Sequence, residues 1–529
     1  MRKKMFKLFD MLKGLGEQLH LKPQHSFTGG VHPQEMKKTA GLPSMTCPLP
    51  KQIILPMKQH IGDACEPMVK VGDYVLRGQQ IAKSQGYLSV PVHASTSGTV
   101  TKIEDHVIAH PSGLGLPCIF IEPDGKDEAD ESLYPLPNYR SIDPVELRER
   151  VRSAGLAGLG GAAFPTFIKL VLDQQHKIET VVLNGIECEP WLTNDHQLML
   201  EKAHEIVTGM DILMHMVDSD QGIIAIEDNK MDTVDVMQRT LVDMGLDASI
   251  RIEVLPTKYP QGGEKQLIQV LTGKEVPAGR LPIHIGILSQ NVGTTKAIYD
   301  AVCLGEALTE RMITVSGDAL PQPTNMRVRL GTPVAWLLEQ CGLSDADGIK
   351  VLHGGPMMGD ILTDMRIPVV KASNGILAMR VVTLMQAHHQ EDPCIRCGDC
   401  GDVCPAGLMP NLLAMHCKEE QFEKAEDYNL FDCIECGACS YVCPSHIPLV
   451  HYFRFGKGQV AQIRREKSFA EESRQRSEIR DARIAQELAE KEEKRRIAKE
   501  KKEARAKALA EKQAQEDDVG AAKNPEVES

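Results

Sequence analysis

Eight of the fifteen cysteines fall into two tight runs, and their spacing is the strongest chemical signal in the chain. The first run is Cys394-x2-Cys397-x2-Cys400-x3-Cys404-Pro405, and the second is Cys433-x2-Cys436-x2-Cys439-x3-Cys443-Pro444. Two-residue gaps wrap one loop around three corners of an iron–sulfur cubane. The fourth cysteine, after a longer gap, turns away to ligate the other cluster. Cluster one is therefore expected on Cys394, Cys397, Cys400 and Cys443, and cluster two on Cys433, Cys436, Cys439 and Cys404. Zinc sites favour paired CxxC units, and neither run has that form. Gly398, Gly401 and Gly437 let the loop backbone come close to sulfur. The stretch from Leu408 to Asp432 reads as helical and carries Cys417, which is left over as a ligand. The other cysteines are scattered singly and read as small buried hydrophobes rather than a disulfide framework.

A wire for single electrons needs something that feeds it. The stretch Ala154–Lys169 reads AGLAGLGGAAFPTFIK, and Gly158-x-Gly160-x-x-Ala163 matches a dinucleotide fingerprint in form. That fingerprint requires a strand before it. Here Asp143-Pro144 opens a helix instead, with Asp143 as N-cap, so a first Rossmann turn is not expected. What remains is a Gly-rich loop whose amides could face phosphate or a flavin edge, with Lys169 as a nearby cation. The bland alternative is a turn between helices. Three short apolar runs follow, Thr180–Leu183, Gly222–Glu227 and Arg251–Leu255, separated by amphipathic stretches. That alternation predicts a parallel α/β layer, with Asn184–Pro190 at the ligand-binding end of its first strand.

The segments GLGGAAFPTFIK, NGIECEP, YPQGGEKQL and QNVGT together resemble the C subunits of Rnf-type electron transport complexes (called Rsx in some bacteria). These are relatives of the flavin- and NADH-binding subunit of respiratory complex I. The resemblance covers about residues 25 to 455. It implies that FMN and NAD(H) are held by Gly158, Gly160, Gly161, Lys169, Asn184, Glu187, Glu189, Tyr259, Gly262, Gly263, Glu264, Asn291 and Thr294. The chain departs from complex I flavoproteins at Ile186 and Gly263, where those relatives carry acidic residues. No protein general acid or base is required, and no catalytic residue is assigned. FMN fits between nucleotide and clusters, because a hydride carries two electrons and each cubane takes one.

These sites need elements to position them. The expected fold is multidomain α/β plus α+β. Residues 1–24 form a candidate amphipathic segment, which reads either as a basic helix on a membrane or membrane-bound partner, or as a tail. Residues 25–135 resemble a biotinyl/lipoyl-like barrel-sandwich. The hairpin tip near Tyr87–Val92 lacks the lysine that carrier proteins modify, and Lys83 is the nearest one, so no prosthetic group is expected. The FMN/NAD(H)-binding α/β domain is assigned to 136–305. A soluble-ligand-binding β-grasp module follows at 306–380, marked by Ser316-Gly317, Leu330–Pro333 and the Gly-rich connection His353–Gly359. The two-cluster ferredoxin domain occupies 381–455, and a charged helical or disordered tail 456–529. His32, in GGVHP, reads as structural.

Composition excludes some functions. A net charge of −13 over 529 residues argues against sequence-independent nucleic-acid binding. No apolar run is long enough to span a membrane, and charges at Lys7, Asp10 and Lys13 interrupt a signal-peptide core. The resemblance to Rnf-type complexes implies a peripheral subunit on the cytoplasmic side of the cell inner membrane, an NADH-linked oxidoreductase working with membrane-embedded and membrane-associated subunits. It also implies a ferredoxin-like donor or acceptor at the far end of the electron path. The alternatives are a soluble diaphorase module and a non-catalytic iron–sulfur scaffold.

Overall fold

The structure, a computed structural model, describes residues 25–110, 113–171, 176–381 and 390–521. The candidate amphipathic segment at 1–24 lies outside them. One compact unit runs to Arg454, and a second comprises Phe455–Ser529.

Within the first unit, the central layer is a four-stranded sheet of Thr180–Gly185, Gln221–Glu227, Ile250–Leu255 and Ile287–Asn291. All pairings are parallel, and the strand order puts Ile287–Asn291 beside Thr180–Gly185, on the side away from the other two. The chain reverses its winding direction there, and the reversal opens a crevice at the carboxyl ends of those two neighbours. The strands are rich in Val, Ile and Leu because helices such as Ala203–Val217 cover the sheet. As expected, Pro144–Ser153 is a helix, and the Asp143 carboxylate accepts the Val145 amide at 2.7 Å.

The barrel-sandwich places Ile53–Pro56, Gly115–Pro123, Gly98–Val107 and Tyr74–Val75 in one antiparallel sheet. The other sheet holds Glu66–Pro67, Gln80–Lys83 and Val92–His93. Ile53, Leu55, Val75, Ile81, Val100 and Ile119 fill the space between them. The tip of its hairpin is docked on the root of the Gly-rich loop. The Ile61 amide donates to the Ala163 carbonyl at 3.1 Å, and a Cβ on Gly155 would lie 2.7 Å from the Pro91 carbonyl oxygen.

The β-grasp sheet runs in the order Met45–Thr46, Thr324–Arg329, Glu310–Ser316, Gly375–Arg380, Ile349–His353 and Asp360–Ile361. Its first strand comes from the segment just before Ile53–Pro56, the first strand of the sandwich, although the sequence reading counts that segment with the sandwich. The residues before Met45 form a strap across the α/β layer. Val31 and Tyr259 exchange both backbone hydrogen bonds, at 2.8 and 2.9 Å. Phe27 is buried beneath Lys258, whose ammonium stands 4.2 Å from the ring centre.

The ferredoxin module packs Pro410–Lys418, Phe422–Asp427 and the first turns of a long helix around Leu413, Cys417, Ala425, Leu430 and Phe453. Cys417 is thus a core residue, as its spacing implied. The long helix extends from Leu449 to Ala521 without interruption. Of the two forms expected for the tail, helical or disordered, the described residues take the helical one. The residues beyond Gly458 contain no Gly or Pro up to Val519, and they carry pairs such as Arg474–Glu471 and Arg496–Glu493 one turn apart.

The strap meets the ferredoxin module at Gly29. The Gly30 amide donates to the Val403 carbonyl at 2.9 Å, and a Cβ on Gly29 would sit 2.6 Å from that same carbonyl. Gly41 has a similar left-handed φ (+69° against +72°) with nothing within 4 Å. Both Ala substitutions strain the backbone, and only Gly29→Ala breaks a close approach. Gly29→Ala is therefore expected to cost ~1–3 kcal/mol more than Gly41→Ala in denaturant unfolding of the cluster-loaded chain. Equal losses would contradict the close packing of strap and module.

Candidate functional site

Two sets of thiols converge in the ferredoxin module. Cys394, Cys397 and Cys400 line one cavity together with Cys443 from the second motif. Cys433, Cys436 and Cys439 line another together with Cys404 from the first. The two loops share one backbone design. Arg396 and Glu435, each just before the second cysteine, have φ of 59° and 57°, and Gly398 and Gly437 just after it have φ of 96° and 78°. Left-handed residues on both sides of that cysteine curl each loop around a common centre.

The donor sets suit iron–sulfur clusters. Each offers four thiols, and backbone amides already point at sulfur, from Leu408 to Cys404 and from Glu435 to Cys433, both at 3.4 Å. Burial pushes the Cys436 thiol up to about 11, so in this pocket the thiolate is unfavourable without a cation. The two sets differ in setting. Cys394 and Cys397 are exposed, whereas Cys404, Cys436 and Cys439 are buried.

The buried set faces the α/β layer. Cys436 and Ala438 form an apolar cluster with Val31 and Tyr259, against which Cys188 packs. The Tyr259 hydroxyl donates to the Cys436 carbonyl at 2.5 Å. A Cβ on Gly437 would lie 2.6 Å from the Met357 carbonyl oxygen. Arg454 closes the same seam, bonding Asp360 at 2.8 Å and Glu435 at 3.1 Å.

Around the crevice, the structure gathers most of the residues implied by the resemblance. The Asn291 side chain caps the helix Val292–Tyr299, accepting from Gly293 at 2.8 Å, and a Cβ on Gly160 would stand 3.3 Å from the Asn291 Cβ. Thr294 accepts the Leu159 amide at 2.9 Å, which fastens the Gly158–Gly161 loop over that helix N-terminus. Gly161 takes a φ of 106°, and Gly160 and Gly161 are exposed. Asn184, at the end of its strand, donates to the Gly262 carbonyl at 2.9 Å. Gly263 caps the helix Glu264–Thr272, and Lys169 pairs with Glu264. A glycine cradle beside a helix N-terminus fits a flavin phosphate and its ring edge.

Three other residues have different partners. The Glu187 carboxylate accepts the amides of Asp195 at 2.9 Å and His196 at 3.3 Å, at the start of the helix Asn194–Glu201. Glu189 accepts the amides of Met358 at 2.8 Å and Met357 at 3.2 Å, which fixes the turn that touches Gly437. Tyr259 serves the Cys436 loop. His32 contacts the Thr257 carbonyl at 3.1 Å, in keeping with a structural role. Ile186, the departure from complex I relatives, lies in an apolar cluster with Phe27 and Leu255.

Sequence reasoning missed the charges that hold these loops. Lys37 donates to the carbonyls of Glu187, Glu189 and Leu192 at 2.7, 2.8 and 2.7 Å. Burial pulls its pKa below the ordinary lysine value. Glu227 and Lys230 form a buried pair, and Glu227 also accepts the Glu187 amide at 3.1 Å. Asp195 receives the Asn291 side-chain amide at 2.6 Å. These residues are scattered singly along the chain, with no spacing to announce them.

Burial raises both Glu189 and Asp195 to about 7, the latter helped by the Glu187 charge. Both carboxyls hold protons more tightly in the folded chain than in the unfolded one. The resulting stabilisation is complete below pH 3.8 and is lost as pH rises through about 7. Glu189→Gln should therefore shrink the difference in melting temperature between pH 5.5 and 8, measured by calorimetry. An unchanged difference would contradict the buried, protonatable Glu189.

Comparison with known proteins follows the same three modules. Residues 25–126 match the RnfC barrel sandwich hybrid domain, 151–300 the Nuo51 FMN-binding domain and 383–447 the 4Fe-4S dicluster domain. The C subunit of the ion-translocating oxidoreductase complex of Yersinia pestis bv. Antiqua (strain Antiqua) is 47% identical over 462 residues, covering 87% of this chain and 73% of that one. Its namesake from Serratia proteamaculans (strain 568) is 46% identical over 473 residues, covering 89% and 66%. An NAD+-reducing [NiFe]-hydrogenase in the H2-reduced state aligns with a TM-score of 0.44 at 17% identity, over 61% of this chain and 62% of that one, too weak a likeness to bear on function. With an FMN-binding domain and a two-cluster domain in one polypeptide, the chain is an oxidoreductase subunit, and it belongs to the family of C subunits of ion-translocating oxidoreductase complexes.

Proposed function

We propose that this subunit exchanges electrons with NAD(H) at the crevice and relays them through the buried thiol set and then the exposed one to its partner subunits. The contact between Tyr259 and the Cys436 loop carries this reading. On this reading cluster two, held by Cys404, Cys433, Cys436 and Cys439, lies next to the α/β layer. Cluster one, on Cys394, Cys397, Cys400 and Cys443, is left toward the surface, where Cys394 and Cys397 are accessible.

The flavin is assigned to the loop Gly158–Gly161 with Asn184, Asn291 and Thr294, and Lys169 with Glu264 borders the nucleotide side beside Gly262 and Gly263. When bound, FMN supplies the conversion between two-electron and one-electron chemistry. The protein's part is to place it. The Asn291-capped helix N-terminus favours negative charge, and the glycines leave room for close approach. Glu187, Glu189 and Tyr259 act one step back, by holding the loops that shape the crevice and the seam to cluster two.

Among the described residues no helix is long and apolar enough to cross a membrane. Ion movement is therefore assigned to membrane-embedded partner subunits, with this chain as a peripheral subunit on the cytoplasmic face of the inner membrane. A ferredoxin-like protein is the proposed donor or acceptor at the other end of the complex.

Gly160→Val tests the flavin assignment. A branched side chain there meets Asn291, so the variant should lose FMN while keeping both clusters, read by flavin fluorescence and by iron and sulfide content. A variant that keeps stoichiometric FMN would sink the assignment.

A further inference from the structure

Two buried cations of the β-grasp module reach into the Gly-rich loop. Arg311 lies on the strand Glu310–Ser316, and Lys371 precedes the strand Gly375–Arg380. The Arg311 guanidinium donates to the Leu159 carbonyl at 2.9 Å and to the Lys371 carbonyl. The Lys371 ammonium donates to the carbonyls of Gly155 at 2.7 Å and Pro91 at 2.9 Å. Both side chains are buried, and among the described residues neither takes a carboxylate as a hydrogen-bond partner. Burial lowers Arg311 to about 10 and Lys371 to about 8, and the acid whose field reaches Arg311, Asp195, is itself raised to about 7.

Such an arrangement is costly for a part that only fills space, because an unpaired buried charge opposes folding. Peptide geometry suggests what it gains. A trans peptide points its C=O and N–H in opposite directions. With the Leu159 carbonyl held inward by Arg311, the Gly160 N–H is turned the other way, on the exposed side of the loop. Lys371 fixes the loop's root at Gly155, where the hairpin tip of the barrel-sandwich also abuts; the Leu156 amide of that peptide is spent on the Val151 carbonyl at 3.3 Å, so Lys371 holds the root in place rather than turning an amide outward.

We infer that Arg311 and Lys371 are positioning residues for the flavin: Arg311 holds the Leu159 carbonyl inward so that the Gly160 amide faces the cofactor, Lys371 fixes the root of the loop, and their positive charge favours the reduced, anionic flavin. The β-grasp module thereby acts as a clamp on the redox site. This inference rests on the assignment of FMN to the Gly158–Gly161 loop.

The test uses the full chain with clusters and FMN, comparing Arg311→Met, Arg311→Lys and Lys371→Met with the parent. FMN affinity is read by fluorescence titration and the flavin midpoint by spectroelectrochemistry. Arg311→Met should weaken FMN binding at least tenfold and move the midpoint to more negative potential. Arg311→Lys should recover most of the midpoint, because it restores the charge, with less recovery of affinity. Lys371→Met should shift the midpoint in the same direction, and it carries the test if Arg311→Met does not fold. A midpoint equal to the parent's in these variants, even with weakened binding, would make the cations purely structural and overturn the inference. Gly160→Val separates the two claims. If it retains FMN, the loop assignment fails; if it loses FMN while Arg311→Met matches the parent, only the clamp fails.

Discussion

Electrons pass between cofactors only where those cofactors are held close, so on the proposed relay the seam between the Cys436 loop and the crevice loops is the constraint on which the molecule depends. The seam is built from small, specific contacts rather than a broad apolar face. Tyr259 reaches the Cys436 carbonyl, Gly437 admits the Met357 carbonyl, and Arg454 joins Glu435 to Asp360. The strap from Phe27 to Val31 lies between Tyr259 and Val403 and ties both sides together. Glycine is required at Gly29 and Gly437 because backbone meets backbone there.

A second constraint follows from the first. Loops that approach a cofactor cannot hide their carbonyls in helices or sheets, yet buried carbonyls need donors. The chain supplies them from cations: the half-buried Lys37 for the loop after Asn184, and the buried Arg311 and Lys371 for the Gly-rich loop. Each arrives from a distant part of the sequence. The modules around the α/β layer thus brace the irregular backbone that the layer itself cannot hold.

What was legible in the sequence is what is periodic or closely spaced. The cysteine runs announced which thiols would meet, because the exchange of the fourth cysteine is built into the spacing. The three parallel strands were readable from their β-branched runs, and Asp143-Pro144 marked the helix that rules out a standard Rossmann first turn. The seam was not readable. Tyr259 belongs to a motif associated with the nucleotide, and nothing local reveals that its hydroxyl reaches a carbonyl 177 residues away. Arg311, beside Glu310 at the head of an apolar run, and Lys371, at the end of one, are charges that a sequence reading assigns to the surface. The long terminal helix was half legible: its composition excluded breakers, but exposed pairs one turn apart do not mark where such a helix stops.

The most direct test of the relay is an anaerobic NADH titration of the purified, FMN- and cluster-loaded chain, followed by absorbance and rapid freeze-quench EPR. The buried cluster is identified by the change that Tyr259→Phe makes in its signal. The account predicts flavin bleaching, then the buried cluster's signal, then that of the exposed cluster. Reduction of the exposed cluster first, or of either cluster in chain lacking FMN, would contradict it.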